Sequence, residues 1–293
     1  MTLYSIDTGF FKLDGGAMFG VVPKSIWNKI NPADENNLCN WALRCLLIEE
    51  GDRLILVDAG VGNKQDAKFF SHYYLHGNDT LEGSLKKHGF TKEDVTDVVL
   101  THLHFDHCGG AIERRDGRLV PAFSNATFWS TKEHWEWAVR PNDREKASFL
   151  KENILPMQES GRLKFIQTQI PGGEFPAPLG AASHPDLLPQ LIRFIIVNGH
   201  TTSMILPVIR YKEQQVVFMT DLLPSQGHIP LPYVMAYDMQ PLVTLDEKKA
   251  FLTLAVEAGY VLFFEHDPDV ECCRVHHAEK GIRPSAFFKL QDL

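Results

Sequence analysis

Short apolar runs recur along the chain, each closed by a polar or glycine-bearing turn. That spacing is the mark of buried strands separated by reversals. It predicts strands over Leu3–Ile6, Trp41–Ile48 and Arg53–Val57, the last two joined by the turn Glu50-Gly51-Asp52. Further strands are predicted at Val98-Val99-Leu100, Thr127–Ser130, Ile192–Val197, Val216–Met219 and Val261–Phe264. Between them the apolar period lengthens to that of a helix, over Asp66–Tyr74, Thr80–His88, Lys132–Val139 and Arg144–Glu159, the last with apolar residues at 147, 150, 154 and 157. Leu245–Ala258 is the strongest amphipathic segment, offering Leu245, Phe251, Leu252, Leu254 and Ala255 for burial, with Asp246 near its start. Thr91 with Glu93-Asp94 marks another helix start. Pro171–Pro189 holds five prolines with little periodicity and is expected to be a long surface excursion. Alternating strands and helices predict an α/β fold.

The densest chemistry lies in Thr101-His102-Leu103-His104-Phe105-Asp106-His107-Cys108-Gly109-Gly110, directly after one of these strands. Three imidazoles and one carboxylate fall within six positions. Neutral nitrogen donors with one hard oxygen donor suit a zinc-type ion. Side chains two apart on extended backbone point the same way, so His102 and His104 converge on one metal while Asp106 and His107 diverge towards a second. A histidine-rich surface loop would not sit behind a β-branched run and close on Gly-Gly. Three other predicted strands each deliver a ligand-type residue past their C-terminal end: His200 after Val197, Asp221 after Met219, and His266 after Phe264. Strand C-termini are where α/β sheets place their chemistry.

The ordered set His102, His104, Asp106, His107, His200, Asp221 and His266 resembles the metallo-β-lactamase superfamily of dinuclear metallohydrolases. Upstream, Ile55-Leu56-Val57-Asp58-Ala59-Gly60 is similar to the strand and Asp-x-Gly turn that precede the metal loop in that family. The resemblance implies a four-layer αββα sandwich, two facing mixed sheets with helices outside, as a single domain over residues 1–293. It also implies two divalent metal ions, zinc foremost, although iron, cobalt and manganese accept the same ligands. One ion would be held by His102, His104 and His200, the other by Asp106, His107 and His266, with Asp221 bridging. A metal-bridging hydroxide would attack a carbonyl or phosphoryl centre, Asp106 orienting it as well as ligating, and Asp58 would reach back to an imidazole N–H and fix its tautomer. Redox relatives replace the second histidine of the loop by a carboxylate; His104 is kept here, which favours hydrolysis.

Asp14-Gly15-Gly16-Ala17-Met18-Phe19-Gly20 and the Thr-His-Leu-His-Phe-Asp-His loop are similar to the branch of quorum-quenching N-acyl-homoserine lactonases and methyl-parathion-hydrolase-like enzymes. Lactone ring opening is the activity this implies. Aryl-ester or organophosphate hydrolysis is the alternative, and a metal-binding protein without catalysis is a third. The best-known lactonases place a tyrosine three residues after the bridging aspartate, and Pro224 stands there in this chain. His228 is the expected catalytic replacement, with Tyr233 and Tyr237 behind it. Phe105, Met18, Phe19, Tyr233 and Tyr237 are expected to contact a small-molecule substrate with an apolar tail.

At 293 residues and 44% hydrophobic composition, the chain suffices for one domain with a sizeable core. The formal net charge of −8 argues against a nucleic-acid partner. Five cysteines, at 39, 45, 108, 272 and 273, form no disulfide framework, and Cys108 is expected to pack against the Gly109-Gly110 turn. Met1–Phe10 shows no secretory pattern, and no stretch approaches the ~20 apolar residues of a membrane span; a soluble cytoplasmic protein without a membrane partner is expected. Relatives in this branch are often dimers, and Val21–Asn40 is read as an arm that a homodimer would exchange.

Overall fold

A computed structural model describes residues 1–168 and 175–293. The chain divides into two compact units, neither contiguous in sequence: Met1–Gly9 with Leu43–Ile166, and Phe10–Ala42 with Gln167–Leu293. Strands β1 (Thr2–Asp14), β2 (Leu38–Glu50), β3 (Arg53–Val57), β4 (Asp97–Val99), β5 (Ile112–Arg115), β6 (Arg118–Pro121), β7 (Thr127–Thr131) and β8 (Leu163–Ile166) come first along the chain. Six of them form one sheet in the order β1-β2-β3-β4-β7-β8, while β5 and β6 pair as a separate ribbon. The expected turn joins β2 and β3, and Gly51 supplies its positive φ of 60°. From β3 through β4 and β7 to β8 every pairing is parallel. Parallel neighbours end on one edge, so Asp58 after β3 and the metal loop after β4 emerge side by side.

The remaining strands are β9 (Gly180–Ala182), β10 (Ile192–Val197), β11 (Met204–Tyr211), β12 (Gln214–Phe218), β13 (Val261–Phe263), β14 (Cys272–Ala278) and β15 (Gly281–Phe288). They form a seven-stranded sheet in the order β15-β14-β13-β12-β11-β10-β9. β10 and β12 both run antiparallel to β11, and β13 is parallel to β12. These three therefore share a direction and deliver His200, Asp221 and His266 to the same edge of their sheet. Each unit buries its own apolar cluster, Leu56, Val98, Leu100 and Phe128 in the first and Ile195, Leu206, Val217 and Leu262 in the second.

Helices α1 (Gly15–Phe19), α2 (Lys24–Trp27), α3 (Ala67–Ser71), α4 (Leu81–Lys87), α5 (Phe105–Cys108), α6 (Lys132–Ala138), α7 (Lys151–Glu159) and α8 (Pro241–Glu257) complete the described elements. Asp66, Thr80 and Thr131 cap α3, α4 and α6 by accepting from a backbone N–H three residues on. α3 stops at Ser71 rather than Tyr74, the chain going on in turns. No helix starts at Thr91: Asp94 turns back to accept from the Thr91 N–H and hydroxyl, both at 2.8 Å, and β4 begins at Asp97. Residues 144–150 are not helical either. Asn142 accepts from the N–H groups of Arg144 and Glu145, and Ser148 gives its carbonyl to the Phe105 N–H, which diverts the segment to the metal loop. α8 begins a turn earlier than expected, and its buried face is Thr244, Glu247, Lys248, Phe251, Leu252 and Ala255, with Leu245 and Leu254 only half-buried. Part of Pro171–Pro189 lies outside the described residues; in the rest, Pro176, Ala177, Pro178, Pro185 and Asp186 are exposed, while β9 pairs with β10 and Phe175, Leu179 and Leu187 are buried. Among the described residues no helix is long and apolar enough to cross a membrane.

Gly110 marks the tightest approach behind the metal loop, since a Cβ there would lie 2.0 Å from the Ala59 carbonyl oxygen. Backbone cannot yield as a flexible side chain does. Gly110→Ala is expected to lower stability by about 1–3 kcal/mol, read as a lower midpoint in denaturant unfolding.

Candidate metal centre

In the first unit, β3 ends at Asp58, which is fully buried with φ 57°. Its Oδ1 accepts the Thr101 N–H at 2.8 Å; its Oδ2 accepts the Thr101 hydroxyl at 2.7 Å and the His107 Nδ1–H at 3.0 Å. With its hydrogen given to Asp58, the Thr101 oxygen accepts from His102 Nδ1 at 3.2 Å. One carboxylate thus sets two tautomers, leaving a lone pair on Nε2 of both His102 and His107. His104 is oriented the other way round: its Nε2–H donates to Glu145 Oε1 at 3.1 Å, leaving Nδ1 unprotonated. Glu145 is in turn held by the Trp137 indole N–H at 2.7 Å and the Asn142 amide at 3.2 Å.

His102 Nε2 and His104 Nδ1 lie 3.1 Å apart, two lone pairs that repel unless a cation joins them. Both imidazoles are buried, and the backbone between them is fixed by the Leu103 N–H donating to His134 Nε2 at 2.8 Å. The loop then turns into α5, placing Asp106 and His107 on its first turn, with 3.8 Å from Asp106 Oδ2 to His107 Nε2. Cys108 points elsewhere, its thiol donating to the Leu103 carbonyl at 3.3 Å while burial pushes its pKa up to about 12. It closes the loop and offers no thiolate.

In the second unit, Asp221 stands between two imidazoles, His200 Nε2 lying 3.1 Å from its Oδ2 and His266 Nε2 3.2 Å from its Oδ1. The outer nitrogens are committed: His200 Nδ1 to Asp238 at 2.8 Å and His266 Nδ1 to the Ala42 carbonyl at 2.8 Å. Desolvation disfavours a charged His200, yet Asp221 and Asp238 outweigh it and push its pKa up to about 10. The surroundings therefore attract positive charge. Thr220, beside Asp221, sits at φ 41°, a costly position for a β-branched residue.

α8 stabilises these loops through two adjacent buried charges. Glu247 accepts the N–H groups of Asn198 and Gly199 at 2.7 and 2.9 Å, fixing the turn that carries His200. Lys248 donates to the carbonyls of Pro230, Leu231 and Tyr233 at 3.2, 3.4 and 2.7 Å, fixing the segment that leads to Asp238. Burial moves both towards their neutral forms, Glu247 up and Lys248 down, each to about 7.

His228, expected as a catalytic group, is instead a packed brace. It is 1% exposed, stacked on Phe19 at 4.6 Å, and bonded through both ring nitrogens, to the Met18 carbonyl and the Ser225 hydroxyl, each at 2.9 Å. Burial pushes its pKa down to about 3. Met18 and Phe19, expected to touch substrate, are buried, Phe19 stacked also on Trp27 at 5.4 Å. Tyr233 is half-buried with its edge to Phe19, and Tyr237 is exposed. Phe105 keeps a place on the metal loop, packed against Tyr73 and Phe69. Glu145, Asp238, Glu247 and Lys248 were missed from the sequence. Only the α8 pair left a trace there, as charges at core-facing positions of an amphipathic helix.

The donor set fits a divalent transition ion: imidazole nitrogens with lone pairs fixed by hydrogen bonds at the opposite nitrogen, together with carboxylate oxygens. Asp58→Asn places an amide where Thr101 and His107 both donate. It is expected to lower metal affinity by roughly 10–100-fold, measured by competition with a chelator.

The family model for the metallo-β-lactamase superfamily matches residues 44–266. An N-acyl homoserine lactonase of Bacillus cereus is 31% identical over 130 residues, covering 41% of this chain and 46% of the relative. The chain thus matches about half the length of the curated relatives. Among solved structures, a probable metal-dependent hydrolase from Staphylococcus aureus is 25% identical with a TM-score of 0.82, covering 100% of this chain and 98% of the other. A dizinc quorum-quenching lactonase in complex with a product is 19% identical with a TM-score of 0.76, covering 98% and 95%, a likeness of fold. With the metallo-β-lactamase fold shared along its whole length and the family model spanning more than half of it, the chain belongs to the metallo-β-lactamase superfamily.

Proposed function

We propose that this chain is a dinuclear zinc-dependent hydrolase that opens N-acyl-homoserine lactones. One ion is assigned to His102, His104 and His200, the other to Asp106, His107 and His266, with Asp221 shared. The observation that carries this reading is the tautomer control, which leaves ligand nitrogens with lone pairs in both units. Similarity to lactonases supports the substrate class. When bound, two divalent ions supply a water of lowered pKa and take up negative charge from the substrate.

The protein's own residues do the rest. Asp58 and Glu145 hold the loop imidazoles in one orientation, Asp238 does so for His200, and Asp106 orients the attacking water. Phe69 and Tyr73, packed on the buried Phe105, offer partly exposed aromatic surface beside the metal loop, suited to an acyl tail. Aryl-ester or organophosphate hydrolysis is the second reading. It is favoured by one observation: Pro224 has no donor to offer a lactone oxygen, and His228 is committed to packing.

Zinc-loaded protein is expected to open acyl-homoserine lactones faster than it cleaves aryl esters or phosphotriesters. The reverse ranking in a direct assay of the three substrates selects the second reading. His104→Ala is expected to lose bound metal and reduce turnover on the order of a hundredfold or more; full metal content with unchanged turnover contradicts the assignment.

A further inference from the structure

We propose that the Tyr73 hydroxyl donates a hydrogen bond to the polar head of the substrate, to the oxygen that gains negative charge as the ester or lactone carbonyl is attacked. This rests on the hydrolase reading above and adds a catalytic residue to it. Tyr73 lies just past α3, its backbone fixed by its N–H donating to the Phe70 carbonyl at 3.0 Å. α3 buries no side chain of its own, so its aromatic residues are held by ring contacts. The Tyr73 ring centroid is 4.6 Å from that of Phe105 and 5.0 Å from that of Phe69, and Phe69 meets Phe105 edge-on at 5.2 Å. Phe105 follows His104 and precedes Asp106 on the loop, and the Asp106 charge is near enough to act on the phenol that packs on Phe105.

For packing alone a phenylalanine would serve, as it does at 69, 70 and 105. The hydroxyl is what Tyr73 adds. Among the described residues it has no hydrogen-bond partner, whereas the Tyr4 hydroxyl donates to Glu49 at 2.7 Å. Its oxygen is open to solvent, so a substrate oxygen can take the place of water there. Burial and the nearby Asp106 charge both raise its pKa, so it remains a donor through the working pH range. A donor aimed at developing negative charge strengthens its bond in the transition state and transfers no proton.

Tyr73→Phe keeps the ring and removes the hydroxyl. In the zinc-loaded full chain, kcat is expected to fall roughly tenfold, one hydrogen bond's contribution, by the same factor for short and long acyl chains. Metal content should stay at the wild-type value, and calorimetric affinity for a ring-opened N-acyl-homoserine should weaken. Wild-type kcat and product affinity in the variant would overturn the inference and leave the hydrolase reading standing. A wild-type protein that opens no lactone and cleaves no ester removes that reading, and the inference with it.

Discussion

Everything at the metal loop depends on one buried carboxylate. Asp58 is out of contact with water, and a charge there survives only if its lone pairs are met. Thr101 and His107 meet them with three hydrogen bonds. The same bonds decide which nitrogen of His107, and through Thr101 of His102, carries the proton. Charge satisfaction in the core and ligand preparation at the surface of the loop are thus one interaction.

The second unit solves the same problem with different groups. Asp238 and the Ala42 carbonyl fix the two imidazoles around Asp221, and α8 secures the loops behind them with Glu247 and Lys248. Those two charges occupy positions where leucine would contribute more to burial. They are tolerated because each is saturated by backbone groups that the loops leave unpaired, an anion taking N–H donors and a cation taking carbonyls.

Much of this was legible in the sequence. The strand ends carrying Asp58, His200, Asp221 and His266 could be read because a short apolar run and its closing turn are local properties. Residues 144–150 misled because their apolar spacing is helical, while Asn142 and Ser148 spend their hydrogen-bonding groups on other partners. His228 misled for a related reason: a histidine in a polar turn near an aspartate has the composition of a catalytic group, and only the folded chain shows both nitrogens in use, on the Met18 carbonyl and the Ser225 hydroxyl.

Taken alone, the sequence determined the strands that carry the ligand-type residues and the identity of those residues, which follow from neighbours within a few positions, and the superfamily, which follows from the order of those residues along the chain. Tertiary structure decided which nitrogen each imidazole presents, and that Glu145, Asp238, Glu247 and Lys248 hold the ligand-type residues or their loops. Those roles require partners that are often tens of positions apart, such as His104 with Glu145 and Asn198 with Glu247. A hydrogen bond between distant residues leaves no local period, so it becomes visible only once the chain has folded.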